Sequence, residues 1–233
     1  MSKPTVCVVM LVNGREAMVR RAIASYRAQT YQRKRLLIYA NGPVEPAEYL
    51  NADAIYTEYE PVTGKTIGWL RNQANEIASR LNPDIIAHFD SDDWSHPRRL
   101  EEQVALLQSS GAECVGYREV LFWDTRPGAF CGAWVYANHD ARYGVDASRM
   151  MWRGAWEKAR YDDAPYADQR WWLANAGKCV GISATAKPGG CPRLICQIHD
   201  DNMSEAYQQL RAPTWRCAPE WDGFCKAKME EQR

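Results

Sequence analysis

The sequence predicts an α/β fold: a mostly parallel sheet flanked by helices, followed by a smaller half of mixed texture. Two patterns carry that prediction. Val6 to Val12 is apolar without alternation, as a strand covered on both faces must be. Strand-like and helix-like segments then alternate at short spacing up to about residue 110, and repeated β-α-β units of this length form a parallel sheet with helices on both faces.

The elements follow in order. After the first strand, Val19, Ile23 and Tyr26 recur at helical spacing, so Arg15 to Ala28 is expected to be an amphipathic helix. Leu36 to Tyr39 is a second short strand, ended by the turn signal Asn41-Gly42-Pro43. Ala54 to Tyr59 is a third. Ile67, Leu70, Ala74, Ile77 and Leu81 mark the buried face of a second helix, which Asn82-Pro83 breaks. Ile85 to Phe89 is a fourth strand and runs into Asp90-Ser91-Asp92-Asp93. Pro97 suits a helix start, with Leu100, Val104 and Leu107 as its buried face. Ligands of such sheets bind beyond the carboxyl ends of the strands. Asn13-Gly14, Asn41-Gly42 and the Asp90 cluster are therefore expected along one edge.

Beyond residue 110 strand-like pieces (Cys114 to Phe122, Ala133 to Tyr136) mix with Trp, Tyr, Gly and charged residues. Trp152, Trp156, Trp171, Trp172, Trp215 and Trp221 all fall there, and such large side chains are most often core. No linker, repeat or low-complexity segment interrupts the chain. The expected organisation is one domain over residues 1–217, with halves 1–110 and 111–217, and a polar, peripheral tail over 218–233.

Composition excludes several classes. With 29 basic and 29 acidic side chains the net charge is zero, which argues against holding a nucleic-acid backbone by bulk charge. No stretch approaches the roughly 18 apolar residues of a membrane span, and the N-terminus lacks a signal-peptide pattern. The cytoplasm is the default location, and the eight cysteines are expected to be reduced thiols. Cys191-x4-Cys196 is too loose for a zinc knuckle. Thr63-Gly64-Lys65-Thr66 lacks the upstream glycine of a phosphate loop.

Asp90, Asp92 and Asp93 are the most informative cluster. Three carboxylates within four residues repel one another unless a cation or hydrogen-bond donors offset them. Hard oxygen ligands at a strand end suit Mg2+ or Mn2+ beside a substrate phosphate. A solvated acidic turn before the positive end of the helix at Pro97 fits the same residues. The motif alone leaves both readings open.

The pieces together resemble family 2 glycosyltransferases, whose nucleotide-binding fold is called GT-A. Val6 through Ala28-Gln29-Thr30-Tyr31 looks like that family's opening strand, loop and helix. Leu37-Ile38-Tyr39-Ala40-Asn41-Gly42 is similar to its second strand and turn, and Leu70-Arg71-Asn72 to the Arg-Asn pair before its acidic motif. Phe89-Asp90-Ser91-Asp92-Asp93, with Pro97, Arg99 and Leu100, resembles the Asp-x-Asp motif and its following helix. Arg153 to Trp156 with Tyr161-Asp162, then Asp168, then His199-x-x-Asn202-x-Ser204 continue the likeness in order over residues 5 to 204. Three positions depart from the pattern. Ala40 stands where an aspartate helps to read uracil, Met10-Leu11-Val12-Asn13 replaces a Pro-Thr-Tyr-Asn run, and Ala167 replaces the glutamate of a Glu-Asp pair.

The resemblance implies an inverting transferase with a nucleotide-sugar donor, UDP-linked by preference, and Mn2+ or Mg2+ as cofactor. By the same likeness Asp92 is a metal ligand, Asp90 serves the ribose or the metal, and Asp93 supports the site or faces the sugar. His199 is a further ligand or a diphosphate contact, and Arg71 offers charge to the diphosphate or simply pairs with the acidic cluster. Asn13 and Asn41 lie at the nucleotide edge. Asp168 is the implied general base, raised towards neutrality by burial near Trp171 and Trp172, with Asp162 and Asp163 as alternatives. The acceptor stays open between a glycan, a lipid-linked sugar, a protein and a modified DNA base. Two other functions also remain at this point: a non-catalytic sugar-binding domain of this fold, and a nucleotidyltransferase, for which Asn13-Gly14-Arg15 is a poor phosphate loop.

Overall fold

The computed structural model describes residues 3–42, 54–59, 64–126, 132–164, 167–183, 192–200 and 214–230. Its strands are β1 (Val6–Val12), β2 (Lys34–Ala40), β3 (Ala54–Tyr59), β4 (Ile85–His88), β5 (Trp94–Ser95) and β6 (Cys114–Asp124). They continue with β7 (Gly132–Ala137), β8 (Met150–Trp152), β9 (Cys179–Ser183), β10 (Leu194–Ile198) and β11 (Trp215–Cys217). The helices are α1 (Glu16–Arg27), α2 (Ile67–Arg80), α3 (Arg99–Ser110), α4 (Arg153–Lys158), α5 (Ala167–Ala174) and α6 (Asp222–Glu230).

One sheet takes in every described strand, in the order β11-β7-β6-β8-β4-β1-β2-β3, with β9 and β10 also on β6 and β5 on β10. Pairing is parallel from β3 through β2 and β1 to β4. It turns antiparallel at β8, and β6 to β11 mix both senses. This is the α/β architecture that the sequence predicts: a parallel first half and a mixed second half.

The central strand shows why the first apolar run does not alternate. Val6, Val8, Met10 and Val12 face α1 and α3, meeting Val19, Ala22, Ile23, Leu100, Val104 and Leu107. Cys7 and Val9 face the other layer, where Leu70, Ala74 and Ile77 of α2 join Trp156, Trp171 and Trp172. Each fully buried Val, Leu or Ile contributes about 1.5–3 kcal/mol, so both layers depend on β1. α2 begins at Thr66, whose Oγ1 accepts from the Trp69 backbone N at 3.2 Å. It stops just before Asn82, which takes φ 53, a left-handed conformation that asparagine tolerates.

The predicted boundaries of β1 and β3 coincide with the observed ones. The short strands β5, β8 and β11 are too brief for period counting, and the structure alone reveals them. The tail expected to be peripheral is instead anchored. Ala218, Trp221, Cys225 and Met229 are buried beside Leu121, Ala133 and Ile195. Asp222 Oδ1 accepts from the Ala133 backbone N at 2.8 Å. At the far end of α6, Arg21 Nη1 donates to the Met229 carbonyl at 3.0 Å, while its Nη2 donates to the Asp92 carbonyl at 2.8 Å and to Gln197 Oε1. Among the described residues no helix is long and apolar enough to cross a membrane.

Two predictions concern this framework. Arg21→Met leaves the Met229 and Asp92 carbonyls without their common donor and is expected to lower unfolding free energy by about 3 kcal/mol, measured by urea titration. His88, at the end of β4, is fully buried with Nε2 3.2 Å from Asn75 Oδ1. Burial and the Arg71 charge push its pKa down from 6.5 to about 3, against the opposing pull of Asp146. The unfolded chain therefore takes up a proton that the folded one refuses, and stability is lost as pH falls below about 6.5. The expected loss is about 2 kcal/mol between pH 7 and pH 5 in urea melts. His88→Gln should flatten that dependence; a slope unchanged in the variant would assign it to other groups.

Candidate active site

Strand direction decides what meets at the site. β1, β2 and β4 run parallel, so Asn13, Asn41 and Asp90 leave the sheet at one edge. β4 is antiparallel to β8, β8 to β6, and β6 is parallel to β10. The end of β10 therefore delivers His199 to that same edge. Register places Val12 opposite Ala40, and the Asn41 backbone N donates to the Val12 carbonyl at 2.9 Å. Gly42 leaves room for the Asn13 side chain: a β-carbon there would lie 1.9 Å from Asn13 Oδ1.

The acidic loop is held from several sides. Asp90, Asp92 and Asp93 can each offer an oxygen within 4.8 Å of the others. His199 Nε2 lies 3.0 Å from Asp92 Oδ2, and Arg15 Nη1 donates to that oxygen at 3.2 Å. Arg71 Nη2 donates to Asp90 Oδ1 at 2.7 Å. Asp93 is turned inward, where its Oδ1 accepts from the Gln197 backbone N at 3.0 Å. It is 5% exposed, whereas the Asp90 side chain is 34% exposed at the mouth of the site. Beneath the loop Arg99 is fully buried, donating to the His88 and Ala147 carbonyls at 2.7 and 2.8 Å and lying 4.1 Å from the Phe89 ring centre.

The electrostatics follow from this packing. Burial and the charges of Asp92 and Asp90 push the Asp93 carboxyl well above its ordinary pKa. Burial also raises Asp90, with Arg71 opposing and Asp92 and Asp146 adding to the rise. Burial acts upward on Asp92 too, but its contact with His199 and the Arg15 charge outweigh it and hold that carboxyl low. Three carboxylates that converge on one point, with an imidazole against Asp92, are of the donor chemistry that fits Mn2+ or Mg2+. Among the described residues the ligand oxygens of Asp90, Asp92 and Asp93 lie within 4.8 Å of one another, and His199 borders them through Asp92.

A second charged layer lies behind. Arg71 Nη2 is 3.0 Å from Asp146 Oδ2, and Arg149 Nη2 is 2.9 Å from Asp146 Oδ1. Arg149 is fully buried, with its guanidinium 4.7 Å from the Trp171 ring centre and 4.9 Å from that of Trp172. Its Nη1 also donates to Tyr161 Oη. The Asp146 carboxyl is held far below its ordinary range because Arg149 and Arg71 outweigh the effect of burial.

The segment expected to carry the base packs on α2. Asn72 clamps it, with Oδ1 accepting from the Tyr161 N at 3.0 Å and Trp156 Nε1 at 3.2 Å while Nδ2 donates to the Tyr161 carbonyl at 2.8 Å. Gly68 permits close approach, since a β-carbon there would lie 2.1 Å from the Asp162 carbonyl and 2.6 Å from Ala167 Cβ. Asp168 is thus the second residue of a helix lodged one turn from Arg71; its side chain lies outside the described residues. Asp162 and Asp163 are exposed, and Asp163 Oδ1 accepts from Thr66 Oγ1 at 2.6 Å. Trp171 and Trp172 are buried. Asn202 and Ser204 of the late motif, and Cys191, lie outside the described residues.

Asn13, Asn41, Arg71, Asp90, Asp92, Asp93 and His199 are therefore all brought to one edge. Arg15, Asp146, Arg149 and Gln197 also serve the site and were not singled out by sequence. Asp146 and Arg149 stand at i and i+3, a spacing that hints at a pair, but nothing local marks them as buried. The cysteines at 7, 114, 179, 196, 217 and 225 are free thiols, all buried except Cys217. Lys65 lies 5.1 Å from the Trp69 ring centre, on the surface of the α2 entry.

Known proteins share this design. A family model for Glycosyl transferase family 2 matches residues 7–163. The O-antigen biosynthesis glycosyltransferase WbnJ of Escherichia coli is 33% identical over 140 residues, which is 58% of this chain and 53% of WbnJ. The chain thus spans about half the length of that relative. TarS 1-349 from S. aureus, solved in complex with UDP-GlcNAc, is similar with a TM-score of 0.65 at 9% identity, over 85% of this chain and 60% of that one. The mannosyltransferase PcManGT from Pyrobaculum calidifontis, solved with GDP-Man and Mn2+, gives 0.61 at 12% identity, over 98% and 70%. At such identities the structural likeness shows the fold, whereas the family match extends over more than half of the chain, from the opening strand through Asp163. The chain belongs to glycosyltransferase family 2.

Proposed function

We propose that the chain transfers a sugar from a nucleotide-sugar donor, UDP-linked by preference, to an acceptor hydroxyl with inversion of the anomeric centre. The observation that carries this reading is the meeting of Asp92 and His199, 107 residues apart in sequence, at 3.0 Å beside Asp90 and Asp93. A nucleotide-sugar site on this fold is supported by TarS in complex with UDP-GlcNAc and by PcManGT with GDP-Man and Mn2+. Asp92, Asp90 and His199 would hold Mn2+ or Mg2+, which when bound supplies positive charge against the diphosphate leaving group.

The chain's own residues divide the remaining work. Asn13 and Asn41 flank the nucleotide at the ends of β1 and β2. Arg71, anchored on Asp146, keeps Asp90 at the ribose or the metal. Asp93 is committed to Gln197 and supports the loop. Asp168 takes the proton from the acceptor hydroxyl as that oxygen bonds to the anomeric carbon and the bond to the diphosphate oxygen breaks. A single in-line displacement inverts the centre. The clamp of Asn72 on Tyr161 and the close contact at Gly68 keep the helix of Asp168 beside α2 while this happens. We assign the site to the cytoplasm, where nucleotide sugars are at hand.

Melting the chain with UDP, GDP, CDP and TDP, each with and without Mn2+, tests the donor site. One nucleotide should stabilise it only with metal; at a hundred times its dissociation constant the gain is about 2.7 kcal/mol. Asp92→Ala should abolish that metal-dependent shift, and an unchanged shift would remove Asp92 from the ligand set. Asp168→Asn should keep the shift yet lower transfer by roughly 10²–10⁴-fold. Transfer near the original rate would pass the role of base to Asp162 or Asp163.

A further inference from the structure

Arg15 follows Gly14 in a left-handed turn, with φ 64 at Gly14 and φ 61 at Arg15 itself. For a residue with a β-carbon this conformation is unfavourable, and it persists where the surroundings impose it. Here it turns the guanidinium back over the acidic loop instead of letting it follow the outer face of α1. Nη1 then lies 3.2 Å from Asp92 Oδ2 and 3.1 Å from His199 Nε2, while those two atoms are 3.0 Å apart. The three atoms form a closed triangle.

Nη1 donates to the carboxylate and sets the guanidinium charge against the imidazole nitrogen beside it. A carboxylate oxygen and an imidazole nitrogen held side by side against a positive charge are the pair that a metal ion would take up in turn. A guanidinium and a divalent ion cannot use the same oxygen and nitrogen together, because the space and the lone pairs are shared and the charges repel.

We propose that Arg15 is a resident counter-cation of this site: it binds Asp92 and His199 in the ligand-free enzyme and yields them to the divalent ion. Once released, its charge turns to the donor diphosphate, which lies at the same edge. Metal entry and diphosphate capture are thereby coupled through one side chain. The inference rests on Asp92 and His199 being metal ligands, as proposed above.

The test is a titration of the full chain with Mn2+ alone, followed by electron paramagnetic resonance of the free ion, for the original sequence, Arg15→Gln and Arg15→Gly. Glycine adopts φ 61 without strain, so that variant removes the guanidinium while easing the turn. Both variants should bind free Mn2+ at least about tenfold more tightly, because a competitor worth that factor (~1.4 kcal/mol) has gone. Both should bind UDP with Mn2+ more weakly than the original. Mn2+ affinity that is unchanged or lower in both variants overturns the role of Arg15. Asp92→Ala, run in parallel, separates the two ideas: Mn2+-dependent UDP binding that survives in it would sink the metal reading itself, and the inference with it.

Discussion

Four carboxylates crowded beneath one edge of a sheet set the central constraint on this protein. Asp90, Asp92, Asp93 and Asp146 each face burial and one another, and no short stretch of chain supplies enough positive charge to compensate. Compensation comes from Arg15 at the start of α1, Arg71 on α2 and Arg149 before β8, and His199 meets Asp92 from the end of β10. None of these groups neighbours the acidic loop in sequence. The charges therefore become tolerable only as the chain folds, and the geometry of the site is the geometry of their neutralisation.

The apolar framework is arranged around that loop. β1 separates two hydrophobic layers, and α1 and α2 approach the acidic edge from opposite faces of the sheet. Each helix carries an arginine inward to the loop: Arg21 to the Asp92 carbonyl and Arg71 to the Asp90 carboxylate. Arg99 spans the floor by joining the His88 and Ala147 carbonyls, and it is so completely desolvated that its pKa falls to about 10. Such polar contacts inside an apolar shell are strong because water does not compete, and costly to leave half made. They fix the backbone on either side of the acidic loop.

The second half of the chain acts mainly as a support from behind. Trp171 and Trp172 stack near Arg149, which steadies Asp146, which in turn steadies Arg71. The same tryptophans belong to α5, the helix that carries Asp168. One aromatic cluster thus links the charge balance of the donor edge to the element proposed to carry the base. Arg21 extends a similar link to α6, which lies beyond the segment matched by the family.

Local pattern was enough for much of this. The unbroken apolar run of β1, the helical spacing of Leu70, Ala74 and Ile77, and the turn at Asn82-Pro83 are decided by neighbours in sequence, so periodicity exposes them. The acidic motif is equally visible, because Asp90, Asp92 and Asp93 are contiguous, and Arg71 and His199 were reached through motif likeness. Arg15, Asp146, Arg149 and Gln197 were not, since burial and partner are tertiary properties: each would be an ordinary surface residue in an isolated segment. The polar composition of the tail likewise concealed Trp221, just before α6, and Cys225 and Met229 within it, which become core only when β6 and β7 lie beneath them. Sequence determined the elements and the chemistry available at their ends. The tertiary structure decided which charges share a pocket, because Coulomb energy depends on distance in space and on exclusion of water, neither of which is encoded at any one position.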